Sequence, residues 1–311
     1  MYDKVKLFYP RTAVTPDVVQ YLDAAKEQTD LRTGEVCTFG NLEGLKVGIY
    51  TGGISIIGSL PKYLYPNNIY PLDRSTTTTA IEKLSDALHL DVSGAKVTGL
   101  EFGGTFMMRQ QVKNYLSRLG EMPRLERKHL SGTLYYLPKA KRQVKAFCFY
   151  DKLEDSRVKG IALPNGFEGA NLLKYEMRFS ERLTKQLREP EVRASTLTEH
   201  RFYQKLVKMY QDAYFAISKR KMQMSSDELN MIQTVGDAYD VFVARLIAQS
   251  DHSQIAGFLD ELKTNNVFPD RKSYTRLKQK INDVSGKAGA GVHDELIREL
   301  DDEVRNVGAY V

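Results

Sequence analysis

The chain has 311 residues, of which 42% are hydrophobic and 27% are charged, as is typical of a globular protein with room for two packed domains. Its net charge of +6 is compatible with a polyanionic partner, and no run is apolar for the length that a membrane span needs. The only cysteines are Cys37 and Cys148, and neither belongs to a Cys-x-x-Cys pair. We therefore expect reduced thiols, no zinc site and a cytoplasmic protein.

The first part of the sequence predicts a run of short strands. Alternation of apolar and polar residues indicates strands over residues 3–9, 34–40, 45–51 and 53–59. Gly52-Gly53 would form the hairpin turn between the last two strands. The segment 61–73 is rich in Pro, Tyr and Asn, and it is predicted to be a loop.

Helices are predicted at three places in the same half of the chain. Thr15-Pro16 would begin the first helix, with the proline in its first turn, and the apolar spacing continues to Ala25. The second follows the threonines at 76–79, since the next apolar residues recur on one helix face: Ala80, Ile81, Leu84, Ala87 and Leu88. A third helix is expected near 109–119.

Several later strands combine apolar and charged positions in alternation. A strand near 98–102 carries Glu101, another is expected over 132–137, and two more follow in the runs 147–154 and 174–179. If these strands pair in one sheet, one face is apolar, with residues such as Phe149 and Tyr175. The opposite face would then carry the polar set Glu101, Cys148, Tyr150, Lys152, Lys174, Glu176 and Arg178.

After about residue 182 the apolar period becomes helical, and the last helix, over 293–307, is acidic. These patterns predict an α+β fold. We expect an antiparallel β-sheet catalytic domain with flanking helices, followed by an all-α C-terminal domain. The predicted divisions are 1–182 for the sheet domain, 183–285 for the helical domain, and 286–311 for a Gly-rich linker with the acidic helix.

The polar set has the chemistry to cut a phosphodiester with a tyrosine nucleophile. A tyrosine hydroxyl is a weak nucleophile at neutral pH, since its ordinary pKa is about 10, and a neighbouring cation or base is needed to activate it. Lys152, two residues from Tyr150, would lower that pKa or hold the phosphate. Glu101 and Glu176 would bind Mg²⁺ or Mn²⁺, and Arg178 would bind phosphate oxygens.

Two simpler interpretations stay open at this point. A strand tyrosine is most often a packing residue, and Tyr135, Tyr136 and Tyr175 compete with Tyr150 for the role of nucleophile. Ten Lys or Arg residues lie between Arg109 and Lys145, and they form either a solvated surface or a track for the DNA backbone. The residues predicted to bind phosphates on this track include Arg127, Lys128, Lys141, Arg142 and Lys145.

The chain resembles the phage and plasmid replication proteins of the gene II/X family, and it is more distantly similar to Rep-trans rolling-circle initiators. Residues 1–7 look like the family's opening, and residues 54–63 look like a family signature. Tyr150-Asp151-Lys152 is similar to the Tyr-x-Lys strand, Gly99-Leu100-Glu101 to the Arg-x-Asp strand, and residues 174–178 to the Arg-x-Glu-x-Arg strand. The resemblance covers roughly residues 1–220.

The resemblance implies that Tyr150 nicks one DNA strand and that Glu101 and Glu176 bind the metal ion, with Glu154 as a possible third ligand. Two departures from the family pattern bear on this. Glu101 stands where the family more often has Asp, without the preceding Arg, and Lys174 replaces an Arg. A changed geometry at these positions leaves room for weakened activity.

The predicted function is that of a rolling-circle replication initiator, which nicks and rejoins DNA through a 5′-phosphotyrosyl intermediate. The alternatives are a catalytically inactive DNA-binding relative, and a mobilisation or transposition nickase with the same chemistry. The expected partners are origin DNA as duplex and single strand, a host helicase and polymerase, and a second copy of the chain, with no membrane. The helix with Arg271, Lys272, Lys278 and Lys280 would either read the origin duplex or simply pack in a helix bundle. As a further alternative, the acidic last helix would shield the basic surface until DNA displaces it.

Overall fold

The structure is a computed structural model that describes the chain except residues 13–16, 140–144, 162–165, 168, 221–231, 250–251, 288–294 and 309–311. It divides into two compact units. The sheet unit comprises residues 1–218 and 299–311, and the helical unit comprises residues 219–298. These divisions differ from the predicted ones at 182 and 285, because helices after residue 182 and the last helix pack with the sheet.

The sheet is antiparallel, as predicted, and the described residues give it ten strands in the order β2-β3-β4-β5-β1-β6-β10-β9-β8-β7. The strands are β1 Tyr2–Pro10, β2 Asp23–Thr29, β3 Val36–Leu42, β4 Leu45–Tyr50, β5 Gly53–Ser59, β6 Lys96–Met108, β7 Leu125–Leu130, β8 Thr133–Pro138, β9 Lys145–Asp151 and β10 Asn171–Phe179. The C-terminal region is helical. The α+β prediction is therefore confirmed.

The helices vary from single turns to four or more turns. In the sheet unit they are α1 Leu60–Leu64, α2 Arg74–Leu88, α3 Val112–Leu116, α4 Lys152–Val158, α5 Leu183–Leu187 and α6 His200–Phe215. The later helices are α7 Val235–Gln249, α8 His252–Thr264, α9 Arg271–Lys287 and α10 Glu295–Asn306. None of the helices in the described ranges is long and apolar enough to cross a membrane.

Local predictions failed where tertiary pairing or a side-chain cap outweighed the apolar period. The helix expected to extend to Ala25 is instead a 3₁₀ turn followed by β2, which pairs with β3, and Ala24 has a φ of 51° that no α-helix accepts. The segment expected to be a loop contains α1, because the Ser59 side chain accepts a hydrogen bond from the Lys62 amide at its N-terminus. Strand β7 was not predicted.

One face of the sheet, which we call the aromatic face, packs against α6. The ring of Tyr175 stacks between Phe149, at 4.2 Å, and Tyr210 of α6, at 4.1 Å. The hydroxyls of Tyr175 and Tyr210 each donate to the other residue's carbonyl oxygen at 3.1 Å. The hydrogen-bonding capacity of both buried phenols is therefore met within the core.

The last helix, α10, is anchored on the sheet unit. Leu300 and Val304 are fully buried there. The Glu299 carboxylate accepts a hydrogen bond from the Arg109 amide at 2.9 Å, and Asp301 accepts one from the Tyr214 hydroxyl at 2.7 Å. The acidic residues of α10 thus hold the helix in the fold, which does not support the prediction of a displaceable acidic shield.

Within the helical unit, α7 packs against α9 and buries Val241, Ala244 and Val284. A second apolar stripe on α7 is exposed to solvent. Its residues follow the 4-3-4 spacing of a coiled-coil seam, and they are Val235, Tyr239, Phe242 and Leu246. Tyr239 is 66% exposed and Phe242 is 58% exposed, so this stripe is a candidate surface for the predicted self-association.

Candidate active site

Strand register brings the predicted site residues together on the face opposite the aromatic face, which we call the polar face. Residues that pair directly across an antiparallel sheet point to the same side. Glu176 on β10 pairs with Cys148 on β9, and Lys174 pairs with Tyr150. Arg178 pairs with Glu101 on β6. The alternation seen in the sequence therefore places these side chains in adjacent rows.

Tyr150 is largely buried, with 7% of its surface exposed. Its hydroxyl donates a hydrogen bond of 2.9 Å to Oε1 of Glu176. Burial raises the pKa of Tyr150 well above its ordinary value, and the negative charge of Glu176 raises it further. The hydroxyl is therefore protonated at neutral pH, and Glu176 is positioned to accept its proton.

Arg178 links the two predicted metal-binding carboxylates. Its Nε and Nη2 atoms donate to Oε2 of Glu176 at 2.9 and 2.6 Å, and Nε lies 3.9 Å from Oε1 of Glu101. Burial raises the pKa of Glu101, and the neighbouring charge of Glu176 adds to that rise. The guanidinium thus offsets part of the repulsion between two carboxylates that share a poorly solvated site.

Asp3 is a site residue that sequence reasoning missed. It is buried on β1, and its Oδ2 atom lies 3.3 Å from Nζ of the fully buried Lys174, which is also 3.9 Å from Oε1 of Glu176. Ser59 and Asn68 also donate to its carboxylate. Burial alone would raise the pKa of Asp3, but the charge of Lys174, the hydrogen bond from Ser59 and the charge of Lys152 hold it below its ordinary value.

The signal for Asp3 was present in the opening strand, as a single acidic residue at the start of an apolar alternation. It could not be assigned, since β1 lies in the middle of the sheet and next to β6 only after folding. The Asp3–Lys174 pair joins residues separated by 171 positions.

The prediction that Lys152 shares a strand face with Tyr150 is wrong. Strand β9 ends at Asp151, whose carboxylate accepts hydrogen bonds from the Leu153 and Glu154 amides and thereby caps α4, which begins at Lys152. The buried Lys152 donates to Oδ1 of Asn68 at 2.9 Å. Burial and the charge of Lys174 both lower its pKa. Lys152 therefore joins the site through Asn68 and Asp3, rather than by a contact with Tyr150.

Glu154 does not join the other predicted metal ligands. It lies on α4 and pairs with Arg157 at 2.7 Å, with about half of its side chain exposed. In the described ranges, no group of three or more His, Cys, Asp or Glu residues is arranged to hold a metal ion. Glu101 and Glu176 fit Mg²⁺ or Mn²⁺ in their chemistry, as hard oxygen ligands, but both contact Arg178.

The predicted phosphate-binding track is divided between the two faces. Lys128 pairs with Tyr135, which pairs with Cys148, so Lys128 belongs to the polar face. Arg127 pairs with Tyr136 on the aromatic face, and its Nε donates to the Leu119 carbonyl at 3.0 Å. The placement of Arg127 beside Tyr150 is therefore wrong.

Lys145 also lies away from the nucleophile. Its Nζ stands 4.8 Å from the ring centre of Phe147 and 5.3 Å from that of Phe179, on the aromatic face. It begins β9, about 17 Å along the strand from Tyr150 at the usual rise per residue. Burial lowers the pKa of Lys145. Lys141 and Arg142 lie outside the described residues, and their role stays a prediction.

A groove of about 580 Å³ lies on the polar face beside Arg178 and Glu101, and we call it the basic groove. Its cationic lining comes from three distant parts of the sequence, namely Lys4 and Lys6 on β1, Lys128 on β7 and Arg178 on β10. Tyr135 also lines it. The sequence indicated Lys128 and Arg178 as phosphate ligands, but it gave no reason to select Lys4 and Lys6.

The fold and site together define an α+β protein with a buried tyrosine, two carboxylates and an arginine in contact on one sheet face, beside a basic groove. No protein-family model matches the chain, and no curated protein matches it in sequence. The function must therefore be inferred from these side chains and their geometry.

Proposed function

We propose that the protein is a DNA-nicking enzyme that initiates rolling-circle replication, as its resemblance to the gene II/X family implies. The observation that carries this proposal is the 2.9 Å hydrogen bond from Tyr150 to Glu176, made within a cluster that also contains Arg178 and opens onto the basic groove. A candidate nucleophile, a proton acceptor and a phosphate ligand thus meet on one face.

In the proposed reaction the Tyr150 oxygen attacks a phosphorus atom of one strand and gives its proton to Glu176. The new bond joins the tyrosine to the 5′ phosphate, while the bond to the 3′ oxygen breaks and that oxygen takes up a proton. The phosphodiester energy is kept in the phosphotyrosine, so the strand can later be rejoined. Because Tyr150 is largely buried, DNA binding must expose the hydroxyl before attack.

Arg178 is proposed to hold the scissile phosphate. Its side chain is one-third exposed and lines the groove, and its planar guanidinium matches two phosphate oxygens. Glu101 and Glu176 would bind Mg²⁺ or Mn²⁺, which would polarise a phosphate oxygen when present. Glu154 is left out of this ligand set, since it pairs with Arg157 on α4.

The proposed partners are origin DNA, a host helicase and polymerase, and a second copy of the chain, in the cytoplasm. Origin reading is assigned to α9, whose basic residues include Arg271, Lys272, Lys278 and Lys280. Plain packing accounts for at least part of α9, because it packs against α7 and buries Val284. The exposed α7 stripe is the candidate surface for self-association.

A second candidate, a DNA-binding relative without cleavage, is favoured by one feature of the site. Arg178 donates two hydrogen bonds to the same oxygen of Glu176, and the Tyr150 hydroxyl is buried. This arrangement is that of a stable ion pair as much as of a poised active site. A mobilisation or transposition nickase would have the same chemistry as the first candidate, and would differ in its DNA site.

The deciding experiment incubates the protein with a supercoiled plasmid that carries the element's own origin, in the presence of Mg²⁺ or Mn²⁺. We expect nicked circles with covalently attached protein. Tyr150→Phe should abolish the adduct while leaving DNA affinity nearly unchanged, since one hydroxyl adds little to a phosphate-dominated interface. Tyr135→Phe is the matched control, because Tyr135 lies on β8, one strand further from Glu176 than Tyr150, and it should still form the adduct.

Three results would count against parts of the proposal. An adduct in Tyr150→Phe would assign the nucleophile to another tyrosine. Binding without nicking by the parent protein would favour the second candidate. Unchanged Mn²⁺-dependent thermal stabilisation in Glu176→Ala would show that the ion binds elsewhere, because a ligand of the folded state raises stability through its own site.

A further inference from the structure

A second basic and aromatic surface lies on the same polar face, over strands β2 to β5. One row of directly paired residues crosses the sheet from this surface into the basic groove, and it runs Asn41, Lys46, Ile57, Lys6 and Gly99. Lys6 and Gly99 line the groove, whereas Lys46 and Ile57 line a separate pocket of about 490 Å³. The two pockets therefore lie along one continuous sheet face.

Two aromatic rings stand over this second pocket. Phe39 and Tyr50 lie 5.8 Å apart, nearly perpendicular, and Phe39 is 38% exposed although it is large and apolar. Gly48 lies beneath both rings, because an added Cβ atom there would be 3.0 Å from the Tyr50 ring and 3.2 Å from that of Phe39. The absence of a side chain at Gly48 lets the two rings approach the sheet and each other.

The same surface is positively charged. Lys26 and Lys46 line the second pocket, where Asp23 is the acidic member of the lining. Lys4 and Lys6 continue the positive charge toward the groove. In the described part of the chain, none of these four lysines has an ion-pair partner. The charge of Lys4 also acts on Glu101, whereas Lys26 and Lys46 lie beside the two aromatic rings.

We propose that this surface binds single-stranded DNA that continues from the basic groove, with bases stacked on Phe39 and Tyr50 and phosphates near Lys26 and Lys46. Aromatic rings beside cations suit a single strand, since every base has a face that can stack and the backbone charge is regular. Strand β3 lies five strands from β10, about 24 Å at the usual spacing, so an oligonucleotide of about 4 nucleotides bound at Arg178 does not reach it.

The proposal extends the proposed function, because it assigns a path to the strand that Tyr150 would cut. Its first test measures the affinity of the full chain for labelled oligothymidylates of about 4 and about 20 nucleotides. The longer oligonucleotide should bind more tightly. The variant with Phe39→Leu and Tyr50→Leu should bind the longer oligonucleotide about tenfold or more weakly than the parent does. Its affinity for the shorter oligonucleotide should change little. The reason is that each stacked base adds appreciably to the binding free energy.

A matched variant separates the loss of stacking from damage to the fold. Phe215→Leu removes a ring of similar exposure, 41%, from α6 on the other side of the sheet, so it should bind the longer oligonucleotide like the parent. If the double Leu variant keeps the parent's preference for the longer oligonucleotide, the aromatic pair does not bind the strand and the proposal is wrong.

The second test concerns charge. Replacing Lys26 and Lys46 with Gln should lower the slope of log affinity against log salt by about 1.4 for the longer oligonucleotide, at about 0.7 for each lost contact. The control replaces Lys205 and Lys208 with Gln, which removes the same charge from α6, on the other side of the sheet. The control should keep the parent's slope. Equal slopes for both double variants would overturn the proposal.

The outcomes also separate this proposal from the proposed function. If Tyr150-dependent nicking persists while the Phe39 and Tyr50 substitutions change nothing, the strand follows another path and only this proposal fails. If the parent chain binds neither oligonucleotide, the proposed function and this proposal fail together. A gain in affinity with length that depends on both the rings and the lysines supports the assignment.

Discussion

The two faces of the central sheet are built from the same strands but filled with opposite chemistry. The aromatic face stacks Phe149, Tyr175 and Tyr210 at about 4 Å, and its phenols bond to carbonyl oxygens in the core. The polar face buries Asp3 and Lys174 within 3.3 Å of each other. Residues one position apart on β10 therefore have entirely different surroundings.

The two faces are expected to stabilise the fold to different extents. Burial of the stacked rings stabilises the fold, because apolar surface leaves water and no charge has to be desolvated. A buried ion pair recovers its desolvation cost only when every partner is present, so it contributes less net stability than its short distances suggest. The polar cluster is therefore expected to contribute less net stability than the stacked rings.

The largest stability effect in this comparison is expected for Asp3→Asn. Removing the carboxylate leaves the fully buried Lys174 with only the more distant Glu176, and breaking a buried pair costs about 3–5 kcal/mol. Urea unfolding of both proteins would measure the difference in the free energy of unfolding. A change below about 1 kcal/mol would show that Lys174 finds another partner.

The same variant has a defined pH dependence. In the folded chain the pKa of Asp3 lies below its ordinary value. The Asp3 carboxylate therefore contributes fully to the free energy of unfolding at any pH above its pKa in the unfolded chain, about 3.9. That contribution is lost as the pH falls through the folded pKa. The gap in unfolding free energy between the parent and Asp3→Asn should therefore narrow in acid, and a constant gap would contradict this assignment.

A smaller effect is expected on the aromatic face from Tyr175→Phe. The substitution keeps the stacked ring and removes the hydrogen bond of 3.1 Å that the Tyr175 hydroxyl donates to the Tyr210 carbonyl oxygen. The expected cost is about 1 kcal/mol, and nicking should be unchanged, because Tyr175 points away from Glu176. A nicking defect larger than the stability loss explains would show that the two faces are coupled.

The smallest effect is expected for Glu154→Gln. Glu154 pairs with Arg157 near the surface, and exposed pairs of this kind contribute about 0–1 kcal/mol. Both the unfolding free energy and Mn²⁺-dependent nicking should stay close to those of the parent. A marked loss of nicking would restore Glu154 to the metal site from which its position on α4 separates it.

Alternation along a strand was enough to predict the central part of the site. The runs around Tyr150 and Glu176 gave both the strands and the faces, and the structure brings Tyr150, Glu176, Arg178 and Glu101 into contact as their register requires. Whether they perform the proposed reaction stays a prediction. Local pattern was sufficient here because the period of a strand assigns each side chain to a face.

The residues that the sequence analysis misplaced or missed were decided by something other than strand alternation. Lys152 was assigned to a strand that Asp151 ends by capping α4, and a cap is decided by one side chain rather than by a period. Arg127 was grouped with Lys128 because they are adjacent in sequence, although adjacency places them on opposite faces. Whether Asp3, Lys4 and Lys6 belong to the site depends on which strands lie beside β1 in the sheet. No local sequence pattern contains that information.

The return of α10 to the sheet unit has a consequence for how the protein is made. Leu300 and Val304 belong to the core of the sheet unit, yet the ribosome synthesises them after the whole helical unit. The nascent sheet must therefore wait for its last core residues while residues 219–298 emerge, with the binding site for α10 still uncovered. Synthesis of the helical unit therefore precedes the completion of the core of the sheet unit.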